Sequence, residues 1–409
     1  MAMMMVMAAS ARDLVGAGSN STWKYFDASP APADGWNDVS FDDSHWKSGA
    51  APLGYGETRL QTKVCDSTDQ SQKPVTTWFR RKFDAADIKA GERWVLLLCV
   101  DDGAVAYLNG REIGRLNLPR GSITSATKAK REVSSEREGF YIRVPVPAGV
   151  IRPQLNVLAV EVHQATTNDE DLFFDASLKT LPSTLTSLAL TSTAREAMNT
   201  FRRQHYLGPS VPIPDGYIDG GRHMALSSSG KVESGREILL VDRARDVELA
   251  RHLAFARSPE VKSLEPLQRM QRLAAYIDRV STPPGGAIWI GPSVDQLTHE
   301  FANQPLLLGD VLDQCQAGVC RHRALLFKVM ADAAGLGTSI VRGNYSQTGK
   351  GTFAHAWNEV FLGDSRRVLV DVMHHGGKPV FPEITSAYVV NHYFKEDDTP
   401  WYGEKTKRP

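Results

Sequence analysis

Gly318-Val-Cys-Arg-His-Arg-Ala-Leu-Leu-Phe-Lys328 decides how the carboxy-terminal half of this 409-residue chain folds. The stretch reads as the start of a helix. Leu326, Val329, Met330 and Ala333 recur at helical spacing, and Gly335 is placed to stop the run. Cys320 therefore falls in the first turn, where unpaired backbone N–H groups and the helix dipole favour a thiolate.

Working outward, Thr338 to Tyr345 is β-rich and leads through the polar loop Ser346-Gln-Thr-Gly-Lys-Gly351 into Phe353-Ala-His-Ala-Trp-Asn-Glu-Val360. The turn Gly363-Asp-Ser-Arg366 then sends the chain into Arg367 to Met373, which contains Val368-Leu-Val-Asp-Val-Met373. If these last two strands form a hairpin, His355 and Asp371 come close to opposite one another. A carboxylate there would fix the imidazole tautomer and hold a charged imidazole next to a thiolate. Nucleophile, base and orienter are the three parts that thiol acyl transfer requires.

Cys at a helix start, His-Ala-Trp in a strand and Val-Asp in the next strand resemble the transglutaminase-like superfamily. The fuller string from Gly318 to Asp332, with Val341-Arg-Gly-Asn-Tyr345 and the upstream Arg236-Glu-Ile-Leu-Leu-Val-Asp-Arg-Ala-Arg-Asp246, is similar to one branch. That branch includes the regulatory domain of plant ethylene-response Raf-like kinases and related stand-alone bacterial proteins. The resemblance covers roughly Ser234 to Pro382. It implies an α+β, papain-like cysteine fold with Cys320 as nucleophile, His355 as general base and acid, and Asp371 as orienter.

Other residues are weighed around this set. Taken alone, a cysteine is usually a small buried hydrophobe and a strand histidine a hydrogen-bonded structural residue. Cys320, His355 and Asp371 carry meaning as an ordered set. The Cys320 N–H is one oxyanion donor by its place at the helix start. Gln314, six residues upstream, has the spacing of the oxyanion glutamine in papain-like enzymes, and Gln316 is nearer still; a solvent-facing loop glutamine is the plain alternative. Trp357 shares a strand face with His355, which suits either a wall of the site or core packing. Arg321, with His322 and Arg323, suits either a substrate carboxylate or amide, or a solvated helix face. Cys315, Cys320, His322, His355 and His374-His375 are enough ligands for zinc, but neither CxxC nor HExxH is present. A Cys315–Cys320 disulfide would require the loop to fold back within about 7 Å.

Length predicts two or three domains, each large enough for a core. The 47 basic and 47 acidic residues are mixed throughout, with no basic stripe, so nucleic acid is not an expected partner. No apolar run approaches the roughly 20 residues of a membrane-spanning helix. The apolar start Met1-Ala-Met-Met-Met-Val-Met-Ala-Ala-Ser-Ala11 resembles the tail of a secretory signal without its positive region. Residues 1–20 read as a signal remnant or a disordered tail. Four cysteines make no disulfide framework, so cysteine usage leaves the compartment open.

Residues 21–181 are organised differently. Short β-rich runs alternate with turn signals: Thr76 to Phe83, Trp94 to Val100, Ala104 to Leu108, Glu112 to Leu116, Val157 to Val162 and Leu172 to Leu178. Asn109-Gly110 is a type I′ hairpin signal. Many antiparallel strands at this spacing predict an all-β sandwich. Gly35-Trp36, Phe41-Asp-Asp-Ser-His-Trp46, Leu53-Gly-Tyr-Gly-Glu57, Trp78-Phe-Arg-Arg81, Asp101 to Gly110 and Asn156 to His163 resemble galactose-binding-like jelly rolls appended to secreted bacterial hydrolases. That resemblance implies secretion or a periplasmic location and a carbohydrate or peptide ligand, with Trp36, Trp46 and Trp78 as the aromatic faces. Buried sandwich tryptophans are the plain reading of the same residues.

Residues 182–233 read as a linker with a short helix near Ala194 to His205, and Gly208-Pro-Ser-Val-Pro-Ile-Pro-Asp-Gly216 excludes regular structure there. Residues 234–409 form the expected transglutaminase-like domain, with two amphipathic helices marked by Leu249, Leu253 and Ala256 and by Leu267, Met270, Ala274 and Ile277. The expected function is thiol-dependent acyl transfer on a peptide, protein or glycopeptide carboxamide, through a thioester and without metal or organic cofactor. Hydrolysis is favoured over cross-linking or deamidation. A catalytically silent binding module and a structural envelope protein are the readings from other classes.

Overall fold

The computed structural model describes residues 13–65, 73–89, 92–133, 141–167, 169–181, 185, 188–227, 231–281, 298, 300–315, 318–347, 349, 351–363, 365–374 and 379–403. These divide into two compact units, one ending at residue 181 and the other comprising the described residues beyond it.

The amino-terminal unit is a β-sandwich of two six-stranded sheets. One runs Ile142–Val146, Trp94–Val100, Leu172–Thr180, Leu53–Tyr55, Thr62–Lys63, with Asp13–Val15 also against Leu172–Thr180. The other runs Lys47–Ala50, Thr22–Phe26, Thr76–Asp84, Leu155–His163, Gly103–Leu108, Arg111–Leu116. Alternation along Thr76–Asp84 sends Phe79 and Phe83 inward, where Phe79 stacks on Phe174 of the opposite sheet at 4.0 Å. Asn109 and Gly110 adopt φ of 53° and 81°, the left-handed pair that a type I′ turn needs.

Trp78 and Arg80 occupy the outer face of the same strand. Trp46 and Trp78 are buried, and Trp36 stacks on Trp46 at 6.3 Å. Phe26 packs on both Trp46 and Trp78, while Arg80 is ion-paired with Asp43 and donates to the Asp38 carbonyl. Trp46 and Trp78 are thus packed among other aromatic rings and the Arg80 guanidinium, while Trp36 is half-buried.

In the carboxy-terminal unit a five-stranded sheet runs Tyr206–Leu207, Gly337–Gln347, Gly351–Phe361, Arg367–Val370, with Tyr393–Phe394 also on Gly337–Gln347. One face carries Val341, Trp357 and Leu369, packed under Val389, Val390, Tyr393 and Tyr402. The helix Cys320–Ala333 packs against the two long strands and against helices Val247–Arg257 and Pro266–Ser281. Asn358 ties strand to helix by donating to the carbonyls of Ala324 and Ser339, both at 3.0 Å.

The helix ends where Gly335 takes φ +76°, with Leu336 N–H donating to Ala331 O and Gly335 N–H to Asp332 O. That pair is a Schellman closure, which glycine accommodates without strain. Within residues 182–233 the short helix expected near Ala194 to His205 runs Ser192–Gln204, capped by Thr191, and two short strands not foreseen in sequence, Tyr206–Leu207 and Ile218–Asp219, pair with Gly337–Gln347 and Ile238–Leu240. Proline-rich sequence excludes long elements but not two-residue bridges. Among the described residues no helix is long and apolar enough to cross a membrane.

Candidate active site

Three elements bring Cys320, His355 and Asp371 together. Cys320 opens its helix after Val319, whose side chain cannot cap; the Val319 N–H instead donates to His322 Nδ1 at 3.2 Å. His355 lies near the middle of strand Gly351–Phe361. Asp371 follows the last residue of Arg367–Val370. The hairpin register pairs Asn358 with Val370, so Asp371 does not face His355 across a ladder as the sequence suggested. It leaves the ladder, bridges to Val380, and its carboxylate reaches back along the sheet to His355. Counting along two strands cannot reveal that departure, because the turn sets the register.

His355 Nε2 lies 2.7 Å from Asp371 Oδ2. The thiol of Cys320 hydrogen-bonds with His355 and also receives the Ala356 N–H. With Nε2 engaged by the carboxylate, Nδ1 is the nitrogen left to face sulfur. Burial alone would raise the thiol's pKa, but the imidazolium of His355 and these hydrogen bonds lower it. Burial would likewise depress His355, yet Asp371 and Cys320 raise it to about 10. Asp371 is buried, and the charge and hydrogen bond of His355, assisted by His374, hold its carboxyl well below the usual range. The three side chains thus form a hydrogen-bonded line from thiol through imidazole to carboxylate. Cys320 is a free thiol and is partly exposed, as is His355.

Sequence reasoning missed the other groups on Asp371. Tyr393 OH donates to Oδ2 at 2.9 Å, Met373 N–H donates to Oδ1 at 3.1 Å, and His374 Nδ1 lies 3.5 Å from Oδ2. His374, grouped by sequence among zinc ligands, joins a line running through Tyr388 OH at 2.9 Å to Tyr345 OH at 3.1 Å. Tyr393 lies 22 residues from Asp371, so no local spacing signals it. Arg222 was also missed. It donates to Gly343 O and to Asn344 Oδ1, pairs with Glu396 at 3.3 Å, and its charge reaches Cys320.

Arg321 is corrected on both of its readings. It is buried, neither a solvated helix face nor free for a substrate: it donates to Asp219 O at 2.8 Å and to Glu237 O at 3.1 Å, and it is ion-paired with the Glu237 carboxylate. His322 is fully buried, with Nε2 3.1 Å from Glu237. Burial and the Arg321 charge push it down to about 4, and its Nδ1 accepts from the Val319 N–H. Arg323 donates to Gly318 O and Ser281 O. Trp357 is buried and donates to Tyr402 OH at 3.0 Å, which makes it core, although its ring lies beside His355 at 6.3 Å. Gln314 lies on the helix Leu308–Cys315, but its side chain, like those of Cys315, Gln316 and His375, lies outside the described residues. Among the described residues no three ligating side chains are grouped to hold a metal.

Residues 222–380 match the family model described as EDR1/CTR1/ARMC3, peptidase-like. Over 102 residues the chain is 36% identical to human (Homo sapiens) armadillo repeat-containing protein 3, covering 25% of this chain and 9% of that protein. The chain thus spans less than a tenth of the curated relative it matches. Among solved structures it is similar to Bacteroides uniformis beta-glucuronidase, with 17% identity, TM-score 0.29, and 42% of this chain and 18% of the enzyme covered. An uncultured Clostridium sp. beta-glucuronidase gives 18% identity and TM-score 0.27, with 43% of this chain and 29% of that enzyme covered.

Proposed function

We propose that the unit carrying the match to the peptidase-like family cleaves amide bonds by thiol acyl transfer, with Cys320 as nucleophile, His355 as base and acid, and Asp371 as orienter. The observation that carries this reading is the hydrogen-bonded line from Cys320 through His355 to Asp371, in which the His355 charge lowers the thiol's pKa against its partial burial. Sγ attacks the carbonyl carbon, and the carbonyl electrons move to oxygen beside the Cys320 N–H. Collapse breaks the C–N bond, and the Nδ1 proton of His355 passes to the leaving amine. Water, deprotonated by the now neutral His355, then attacks the thioester and frees the acid and the thiol. Partial exposure of Cys320 and His355 favours water over a second amine as acceptor. Asp371 keeps Nδ1 directed at sulfur throughout.

The test is the pH dependence of Cys320 alkylation by iodoacetamide, followed by peptide mass spectrometry. An ordinary thiol titrates near about 8.5. Rapid reaction at pH 6 that disappears in His355→Ala supports the reading; a slow, ordinary thiol in the unaltered protein overturns it.

A further inference from the structure

Among the described residues the His355 strand is paired along its whole length on one side only. Gly351–Phe361 matches Gly337–Gln347 residue for residue, but the ladder to Arg367–Val370 takes up Asn358 to Phe361 alone. Among the described residues, Gly351 to Trp357 have no strand neighbour on that second side. Leu362 N–H donates to Arg366 O, and Arg342 N–H of the neighbouring strand donates away from it, to His205 O. Alternation therefore turns the backbone groups of even-numbered residues, Thr352, Ala354 and Ala356, toward the open side. The thiol of Cys320, which receives the Ala356 N–H, sits at the inner end of that edge.

Two further features set this edge apart. Proteins usually guard an exposed edge with lysine, proline or a bulge, because it invites pairing. Gly351-Thr-Phe-Ala-His-Ala356 has no proline or charged guard, its first four residues are exposed, and its register is unbroken. Phe353, on the same strand face as His355, is one of the exposed large hydrophobic side chains at 51%. A strand laid along the edge would place a side chain of its own beside that ring.

We propose that the substrate is an extended peptide that adds as a strand to the open edge of the His355 strand. Its backbone pairs with Thr352 and Ala354, an apolar side chain rests on Phe353, and its scissile carbonyl is delivered to Cys320. This rests on the acyl-transfer reading above and narrows it: main-chain pairing selects unfolded or extended polypeptide over free amides and over side-chain amides on folded surfaces.

The test compares an alanyl vinyl methyl sulfone with the same warhead on a tetrapeptide, both reacted with the full chain. The Cys320 thiolate adds to the alkene, a C–S bond replaces the π bond, and the neighbouring carbon takes the proton from His355. The tetrapeptide is expected to label about 10-fold faster, the worth of two backbone hydrogen bonds. N-methylation of one alternate set of its amides should remove that gain, while methylation of the other set leaves it. Ala354→Pro deletes an N–H that points away from the existing ladder, and the gain should be lost there too. Equal rates for both lengths, or equal loss from both methylated sets, would overturn strand addition while low-pH iodoacetamide reactivity still upheld acyl transfer. An ordinary thiol toward iodoacetamide would overturn both.

Discussion

Two clusters of buried charge meet at the first turn of the Cys320 helix, and one peptide bond separates them. Arg321 and His322 belong to the first, with Glu237, Asp219 and Arg342; Cys320, His355 and Asp371 form the second. In the first, charges are matched: Arg342 donates to Asp219 Oδ1 at 3.0 Å, and Gly221 N–H donates to the same oxygen at 2.7 Å. Glu237 and Asp219 are both held below the usual carboxylate range although burial opposes it, by Arg321 in one case and Arg342 in the other. In the second, the carboxylate is equally well held, but the thiol at the far end is partly exposed. Closure makes the first cluster a foundation; on the acyl-transfer reading proposed above, the open end makes the second reactive.

Removing one partner should therefore have opposite consequences in the two clusters. Glu237→Ala leaves the buried Arg321 without its ion-pair partner and removes the carboxylate 3.1 Å from His322 Nε2, which should cost about 3–5 kcal/mol. Cys320→Ala removes a partly exposed group and should change stability by no more than about 1 kcal/mol. Hydrogen exchange of peptides from the helix Cys320–Ala333 measures both. Equal loss of protection in the two variants would end the distinction.

The second cluster should respond to His355→Ala in reactivity. With the imidazolium gone, burial acts on the thiol opposed chiefly by the Ala356 N–H, and alkylation at pH 6 should fall by at least about 10-fold. The pH window follows from the signs. His355 is raised, so its contribution to stability is complete below about 6.5 and is lost as pH climbs through about 10. Asp371 is lowered, so its contribution is present above about 3.8 and fades in acid. Thermal melts across pH 5 to 11 should show an alkaline loss that His355→Gln removes; the same loss in the variant would place the titrating group elsewhere.

How much of this was legible in sequence depends on the distance between partners. The Cys320 helix and its Gly335 stop were legible because spacing and a Schellman closure are local, and Asn109-Gly110 was legible for the same reason. The association of Cys320, His355 and Asp371 was legible as a pattern, while its geometry was not, since Asp371 leaves the ladder that the hairpin predicted. Arg321 was misread because its partners Asp219 and Glu237 lie 102 and 84 residues away, beyond any helical or strand period. Trp46 and Trp78 could not be assigned to core or ligand until the segment carrying Trp36 and Asp43 was seen packed against that strand.

The finest test lies on Asp371 itself. Tyr393 OH and His355 Nε2 share Oδ2, so Tyr393→Phe removes one donor while the ring stays in its core cluster with Trp357. The lost hydrogen bond should cost about 1 kcal/mol in stability. A carboxylate with one donor fewer is more basic and grips the imidazolium harder, which keeps the thiolate charged but slows proton release to the leaving amine. Alkylation at pH 6 should therefore hold or rise by no more than about 3-fold, whereas peptide turnover should fall. If alkylation instead collapses as in His355→Ala, Tyr393 fixes where Asp371 points rather than how strongly it binds. The orienting end of the reactive cluster would then be as rigidly built as the Glu237 foundation beside it, and only the sulfur end would remain open.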